Sequence, residues 1–353
     1  MSTLNEHLTQ ILDTQRNSLA SAIVEQHYTQ QPELAERYGE KGRIKCLADT
    51  HYHLTYLSEA IAAAHPSLFA NYVAWAKVLL TGIGIPAEDL AKNLKIVRDV
   101  LKAELSEEEG SALIEDYIEE GLTQLPALPS KLSTFIEEAE PHAELAQRYL
   151  ETLLRGERHI ASPLILNAVE GGIGVKEIYL HVFQRSQYEI GRLWQMNEIS
   201  VAQEHYCTAA TQLIMSQLYA YIFSTERQNH ALVATCVGGD LHEIGVRMVA
   251  DFFEMEGWDT YYLGANTPTS SVLQELETRN ADVLAISATM TFHIRPVGEL
   301  IAAVRSNPAF QNVKIIVGGY PFNLEPALWK EVGSDAYAQN ADEAIGVANN
   351  LLN

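Results

Sequence analysis

Asp240, His242 and Gly245 lie within the run Asp240-Leu241-His242-Glu243-Ile244-Gly245, and their types and spacing suit the binding of a metal. A carboxylate two residues before a histidine can accept a hydrogen bond from one ring nitrogen. That fixes the tautomer and leaves the other nitrogen as a donor to a metal. Gly245 lets a large planar group approach the backbone. The run follows an apolar stretch, Ala231 to Val237, that reads as a buried strand, and it precedes an amphipathic helical pattern. The histidine therefore sits on a strand-to-helix loop. Ser287, with Thr289 two residues on, follows a second such strand, and Gly318-Gly319 follow a third.

In that order, Asp240, His242, Gly245, Ser287 and Gly318-Gly319 resemble the D-x-H-x-x-G … S … G-G pattern of base-off/His-on cobalamin-binding domains. The resemblance implies that His242 replaces the dimethylbenzimidazole as lower axial cobalt ligand. It also implies that the displaced nucleotide tail threads past Ser287 and the glycine pair. Upstream, Trp194 is followed after nine residues by Glu204-His205. This resembles the W-x9-E-H pattern of the cap bundle in adenosylcobalamin-dependent photoreceptors, where these residues pack against the upper adenosyl group. Tryptophan supplies a flat apolar surface with one donor, and Glu and His can hydrogen-bond ribose and adenine. The DNA-binding members of that family carry a histidine directly after the tryptophan. Here Gln195 takes that place, and no basic helix-turn-helix domain is read in the sequence.

A third constellation lies in the stretch Cys46-Leu47-Ala48-Asp49-Thr50-His51-Tyr52-His53. On a helix, Cys46, Asp49 and His53 share a face. The stretch resembles the C-L-x-D chromophore segment of phycobiliproteins, which have a globin-like helical fold. The resemblance implies that Cys46 can tether a linear tetrapyrrole such as biliverdin and that Asp49 accepts hydrogen bonds from its pyrrole N–H groups, a sound role for a carboxylate. Arg43, Lys45 and Lys77 are candidates to meet the propionates, and Tyr52, Tyr56, Tyr72 and Trp75 to line an aromatic slot. Ala48 departs from the arginine usual in phycobiliproteins. Heme binding through His51, His53 or His65, or a ligand-free dimerisation domain, are alternatives. A cobalamin domain joined to such a module is similar to the photocobilins.

The remaining sequence organises these sites. The chain has 353 residues, a net charge of -22 and three cysteines far apart. The charge argues against direct nucleic-acid binding and against docking on an anionic membrane. The cysteines suggest neither a disulfide framework nor a zinc site. No signal peptide or bilayer-spanning run is read, so the cytoplasm is the simplest compartment. Residues 1–125 read as an all-helical, globin-like domain, followed by a Pro-containing linker, Leu125 to Ser130. Residues 133–226 read as a four-helix cap bundle, with helices over about 138–155, 162–171, 175–193 and 200–224 and a capping box at Ser200 and Gln203. Residues 230–353 alternate strand and helix, which predicts a doubly wound, flavodoxin-like five-stranded parallel sheet with its ligand at the carboxyl ends of the strands. The expectation is a sensor holding adenosylcobalamin and a bilin, signalling through a homo-oligomer or a protein partner and lacking a catalytic output domain. The alternative is a corrinoid methyl carrier of a methyltransferase, which needs an open upper face. A mutase fits less well, because no barrel-sized substrate domain is read.

Overall fold

The computed structural model describes residues 3–105, 108–223 and 226–353. They gather into two compact units, Met1–Ser130 and Lys131–Asn353. The first is all helical: α1 (Thr3–Thr14), α2 (Arg16–Gln30), α3 (Glu33–Ala62), α4 (Pro66–Gly82), α5 (Ala87–Glu104) and α6 (Glu108–Gln124). Pro66 opens α4 at its first turn, where a missing N–H costs nothing, and Pro86 caps α5. The chain bends within α3 at Gly39, whose φ of 61° favours glycine. Below the bend, Leu54, Leu57 and Ile61 are fully buried, as are Phe69 and Val73 of α4. Lys77, a candidate propionate partner on sequence, serves the fold instead. It is buried, and its Nζ donates to the carbonyls of Leu125 (2.9 Å) and Leu128 (2.5 Å). An ammonium placed among carbonyls holds the linker against α4 and is no longer available to a ligand.

The second unit starts with α7 (Ala143–Leu154) and α8 (Arg158–Glu170). Next, α9 (Val175–Glu177) runs through a π-helical turn, Ile178–Phe183, into α10 (Gln184–Gln195). Then come α11 (Val201–Gln217) and the short α12 (Tyr219–Ile222). All four expected helices are present. The first begins later than its pattern suggested and the last divides at Leu218, while the capping box at Ser200 and Gln203 forms as expected.

The sheet follows, with β1 (Ala231–Cys236), β2 (Asp259–Gly264), β3 (Val283–Ser287), β4 (Lys314–Gly318) and β5 (Ala336–Tyr337). All strands are parallel, in the order β2-β1-β3-β4-β5. The connecting helices are α13 (Ile244–Met255), α14 (Thr269–Arg279), α15 (Ile294–Ser306), α16 (Tyr320–Leu324) and α17 (Leu328–Glu331), with α18 (Ala341–Leu352) closing the chain. Strands covered on both faces need continuous apolar runs, and Leu232, Val233, Ala234, Val283, Leu284, Ile315 and Val317 are all buried. Among the described residues no helix is long and apolar enough to cross a membrane.

Bundle and sheet form one unit because α13 supplies a shared wall. Tyr179, on the π turn, donates its hydroxyl to buried Asp251 of α13 (2.8 Å). Lys176 pairs with Glu256 and lies over the Phe252 ring. Burial pushes the Asp251 carboxyl up to about 6, and the Tyr179 hydrogen bond and Arg247 offset this only in part. Asp251 thus holds its proton more tightly in the folded protein than in the unfolded chain. Its stabilising contribution is complete at low pH and is lost as pH rises through about 6. Lowering the pH from about 7 to about 5 should gain roughly 1 kcal/mol from this group, a gain that Asp251→Asn abolishes. Thermal unfolding of both proteins at the two pH values is the measurement. An identical pH response would show that another group titrates.

Candidate functional site

The loop after β1 is built around one carboxylate. Asp240 is fully buried. Its Oδ1 accepts from the backbone N–H of His242 (3.0 Å) and from His242 Nδ1 (2.9 Å). Its Oδ2 accepts from the backbone N–H of Thr289 (2.8 Å) and faces His293 Nδ1 at 3.2 Å. Burial alone would raise this carboxyl. The hydrogen bonds from the rings of His242 and His293 and from the His242 backbone outweigh it, holding Asp240 ionised well below the usual carboxylate range. An ionised carboxylate only accepts, so Nδ1 of His242 carries the proton and Nε2 presents its lone pair. The His242 side chain is 59 % exposed, and its Nε2 has no protein partner among the described residues.

The strand ends bring the other motif residues together. Ser287 pairs in register with Cys236 of β1 on one side and Gly318 of β4 on the other. A Cβ on Gly319 would stand 2.1 Å from the Ala288 carbonyl oxygen, and its φ of +98° is one that side chains rarely adopt. A Cβ on Gly318 would meet the Ala338 carbonyl at 2.8 Å. The glycine pair therefore lets β3, β4 and β5 converge. Gly245 differs: a Cβ there would meet nothing within 4 Å, so the protein's own packing does not require glycine at this position.

On the cap side, Trp194 lies half-buried in the last turn of α10, and Gln195 beside it is buried. Glu204 sits in the first turn of α11, with its Oε2 2.5 Å from Nδ1 of the exposed His205 and its Oε1 accepting from Thr208 (2.9 Å). Gln212 lies two turns further along the same face. Its Nε2 donates to Oε1 of Glu243, the residue after His242 (2.7 Å). The face of α11 that carries Glu204 thus leads to the His242 loop, about 12 Å along the helix axis.

The helical unit holds a separate cluster. Cys46 Sγ lies 3.7 Å from Nδ1 of buried His27, which also meets Asn93 Nδ2 at 3.0 Å. Buried His53 pairs its Nδ1 with the Tyr72 hydroxyl (2.8 Å), and Tyr72 stacks on Tyr56 at 3.9 Å. Burial, then the nearby Asp49 charge, push the Cys46 thiol up to about 11, and burial raises half-buried Asp49. Burial lowers His53 to about 4, so the imidazole is neutral. His27 Nε2 and Asn93 Oδ1 are buried without a partner. Arg43 is already paired with Glu25, and Tyr52 faces solvent. Reading the sequence missed His27, Asn93, His293, Glu243 and Gln212. Only His293 and Glu243 stood close enough to a recognised motif to be noticed.

Comparisons with known proteins agree with this geometry. The B12 binding domain family matches residues 231–346, and a second family of that description matches 145–219. The Phycobilisome protein family matches residues 4–125. Dimethylamine corrinoid protein 3 of Methanosarcina mazei is 30% identical over 121 residues, 34% of this chain and 71% of that protein. Its namesake in Methanosarcina acetivorans is 28% identical over 165 residues, 47% of this chain and 74% of that protein. The solved monomethylamine corrinoid protein of Methanosarcina barkeri superposes with a TM-score of 0.54 and 22% identity, covering 60% of this chain and 100% of its own, which speaks for a shared fold.

The chain belongs to the corrinoid proteins that carry a B12 binding domain. The residues fit the group. Among the described residues no three His, Cys, Asp or Glu side chains gather around a metal position, so one histidine is what the loop offers. A single ligand suits a metal already held by a macrocycle.

The packing at the strand ends yields a test. Gly319→Ala should cost about 2–4 kcal/mol, because the backbone is strained and the new Cβ meets a carbonyl that cannot yield. Denaturant unfolding measures it. A cost under about 1 kcal/mol would show that β3 and β4 can separate.

Proposed function

We propose that this chain holds cobalamin base-off, with His242 Nε2 on cobalt, and uses it to sense light. The observation that carries the reading is the joining, in one chain, of the B12-binding residues 231–346 with a helical unit matched by the Phycobilisome protein family over residues 4–125. Three functional parts follow: residues 1–125 as a bilin module, 133–226 as the cap and 230–353 as the cobalamin domain. Asp240 orients His242 and fixes its tautomer through the Nδ1 hydrogen bond. Thr289, Ser287 and Gly318-Gly319 line the way for the nucleotide tail, and Gly245 leaves room beside the ligand loop. Trp194, Glu204 and His205 form the upper wall, shaped for an adenosyl group. When bound, cobalamin supplies a cobalt–carbon bond that light can cleave. Gln195 carries no imidazole, so of the cap residues named here His205 is the one that would offer a ring nitrogen on the upper side. Loss of the upper group frees the cap, and the change passes to a second copy of the chain or to a protein partner.

A second reading, a corrinoid methyl carrier serving a methyltransferase, is favoured by the relatives. Both Methanosarcina proteins are named for dimethylamine corrinoid chemistry, and these names support the carrier role more directly than a sensory one. The upper face separates the two readings. A nucleoside-shaped wall leaves a void over a methyl group, and voids forfeit roughly 1 kcal/mol per missing methylene-sized group. A sensor should therefore bind adenosylcobalamin at least about tenfold more tightly than methylcobalamin, with Trp194→Ala narrowing the gap. Equal affinity would select the carrier reading.

Two further outcomes test the parts. His242→Ala should change the cobalt absorption spectrum and weaken binding, while the sheet still folds. An unchanged spectrum would remove His242 as the ligand. Biliverdin added to the purified protein should bind the helical unit, and Asp49→Ala should weaken binding or shift the long-wavelength band. A protein that takes up heme and ignores biliverdin would replace the bilin assignment, with His53 and His27 the buried imidazoles closest to hand.

A further inference from the structure

Among the described residues, the side chain of the residue after the candidate cobalt ligand accepts three hydrogen bonds, one from the cap and two from the end of β2. Glu243 Oε1 accepts from Gln212 Nε2 of cap helix α11 (2.7 Å). Its Oε2 accepts from the Tyr262 hydroxyl of β2 (2.9 Å) and from the backbone N–H of Ala265 just beyond that strand (3.1 Å). One turn along α13, Arg247 grips the same stretch of α11. Its Nη1 donates to the Gln212 carbonyl (3.1 Å), its Nη2 donates to Ser216 Oγ (2.7 Å), and its guanidinium lies over the Tyr219 ring. Glu243 and Arg247 are four residues apart, so they face α11 together.

We propose that Glu243 is a positioning residue that couples the His242 loop to the cap. Its carboxylate fixes the loop to α11, and Arg247 fixes the rotation of α11 about its axis. The inference rests on His242 being the lower ligand and is independent of whether the cap serves a sensor or a methyl carrier. The same helix carries Glu204 of the upper wall on the face that ends at Gln212. A displacement of α11 caused by a change above the corrin is therefore transmitted to the backbone beside His242. A change in the His242 bond is transmitted in the opposite direction with equal coupling free energy, as linkage requires. The coupling runs through contiguous, named contacts and does not depend on distance or correlation alone. Tyr262 and Ala265 prevent the loop from simply following α11, so strain is shared between cap and sheet edge.

The test uses hydrogen–deuterium exchange on the full chain loaded with aquocobalamin, so the upper ligand is the same in every sample. Four proteins are compared: the unaltered chain, His242→Ala, Gln212→Ala and the double variant. His242→Ala should speed exchange within Val201–Gln217 by roughly tenfold, the effect expected for loosening a hydrogen bond to a charged acceptor. In the Gln212→Ala background it should leave that helix unchanged. An equal rise in both backgrounds, or none in either, overturns the proposal. A second measurement needs no cofactor. A carboxylate accepts all three donors and an amide cannot, so Glu243→Gln should speed exchange in both Val201–Gln217 and Asp259–Gly264 of the cobalamin-free protein. Unchanged exchange in both segments overturns the proposal even if His242→Ala loads poorly. The cobalt spectrum of His242→Ala is read alongside: no change there refutes the ligand assignment, whereas a changed spectrum with uncoupled exchange refutes only the role of Glu243.

Discussion

The buried carboxylate of Asp240 is the constraint on which the B12-binding half of the molecule depends. A charge taken out of water is tolerated only when hydrogen bonds replace its hydration. Asp240 receives them from its own loop and from the loop after β3, through Thr289 and His293. The requirement that stabilises the charge also ties two strand ends together and fixes the His242 ring. The outward lone pair on Nε2 is thus a by-product of solvating an anion within protein. His293 has a second consequence. Its Nδ1 lies 3.2 Å from Asp240 Oδ2 and 3.4 Å from the backbone nitrogen of Met290, and its Nε2 is buried with no partner among the described residues, so the ring joins the Asp240 loop to the turn after β3.

The bundle is joined to the sheet by polar side chains as well as by apolar packing. Tyr179, Asp251, Arg247, Gln212 and Glu243 form a band along α13, the helix that begins directly after the ligand loop. Apolar contacts alone would let the bundle slide, since dispersion is not directional. Directional hydrogen bonds with a charged partner at each end hold one rotation and one register. Beneath that band the bundle and the sheet share one continuous apolar core, which includes Tyr179, Phe183, Ile214, Met215, Phe252 and Phe253.

The helical unit poses a different physical problem. Its core contains His27, His53, Asn93 and Tyr72 among aliphatic residues, and His27 Nε2 and Asn93 Oδ1 have no partner among the described residues. Burial keeps the imidazoles neutral, which limits the cost, but an orphaned donor or acceptor still forfeits hydration. Such a core gives up stability unless a ligand or ordered water meets those atoms. Cys46 and Asp49 lie at the edge of this cluster, both half-buried, and the raised thiol is protonated near neutral pH.

The sequence by itself determined the elements and singled out His242 as the candidate metal ligand. Short continuous apolar runs followed by Gly, Ser or Asp marked β1, β3 and β4. The short offset from Asp240 to His242 made their hydrogen bond a local matter, readable without a fold. Gly318-Gly319 was legible through the resemblance to cobalamin-binding domains, and the structure supplies the reason: Gly319 has a φ of +98°, and Gly318 has no room for a Cβ beside the Ala338 carbonyl. What the tertiary structure alone decided are contacts between residues far apart in the chain. His293 reaches Asp240 across the switch from β1 to β3, Gln212 reaches Glu243 from another layer, and Lys77 turns inward to the linker. Periodicity reports which face of an element is buried. It carries no information about which polar side chain on that face will find a partner, because that depends on how two helices rotate and slide until their buried charges are solvated.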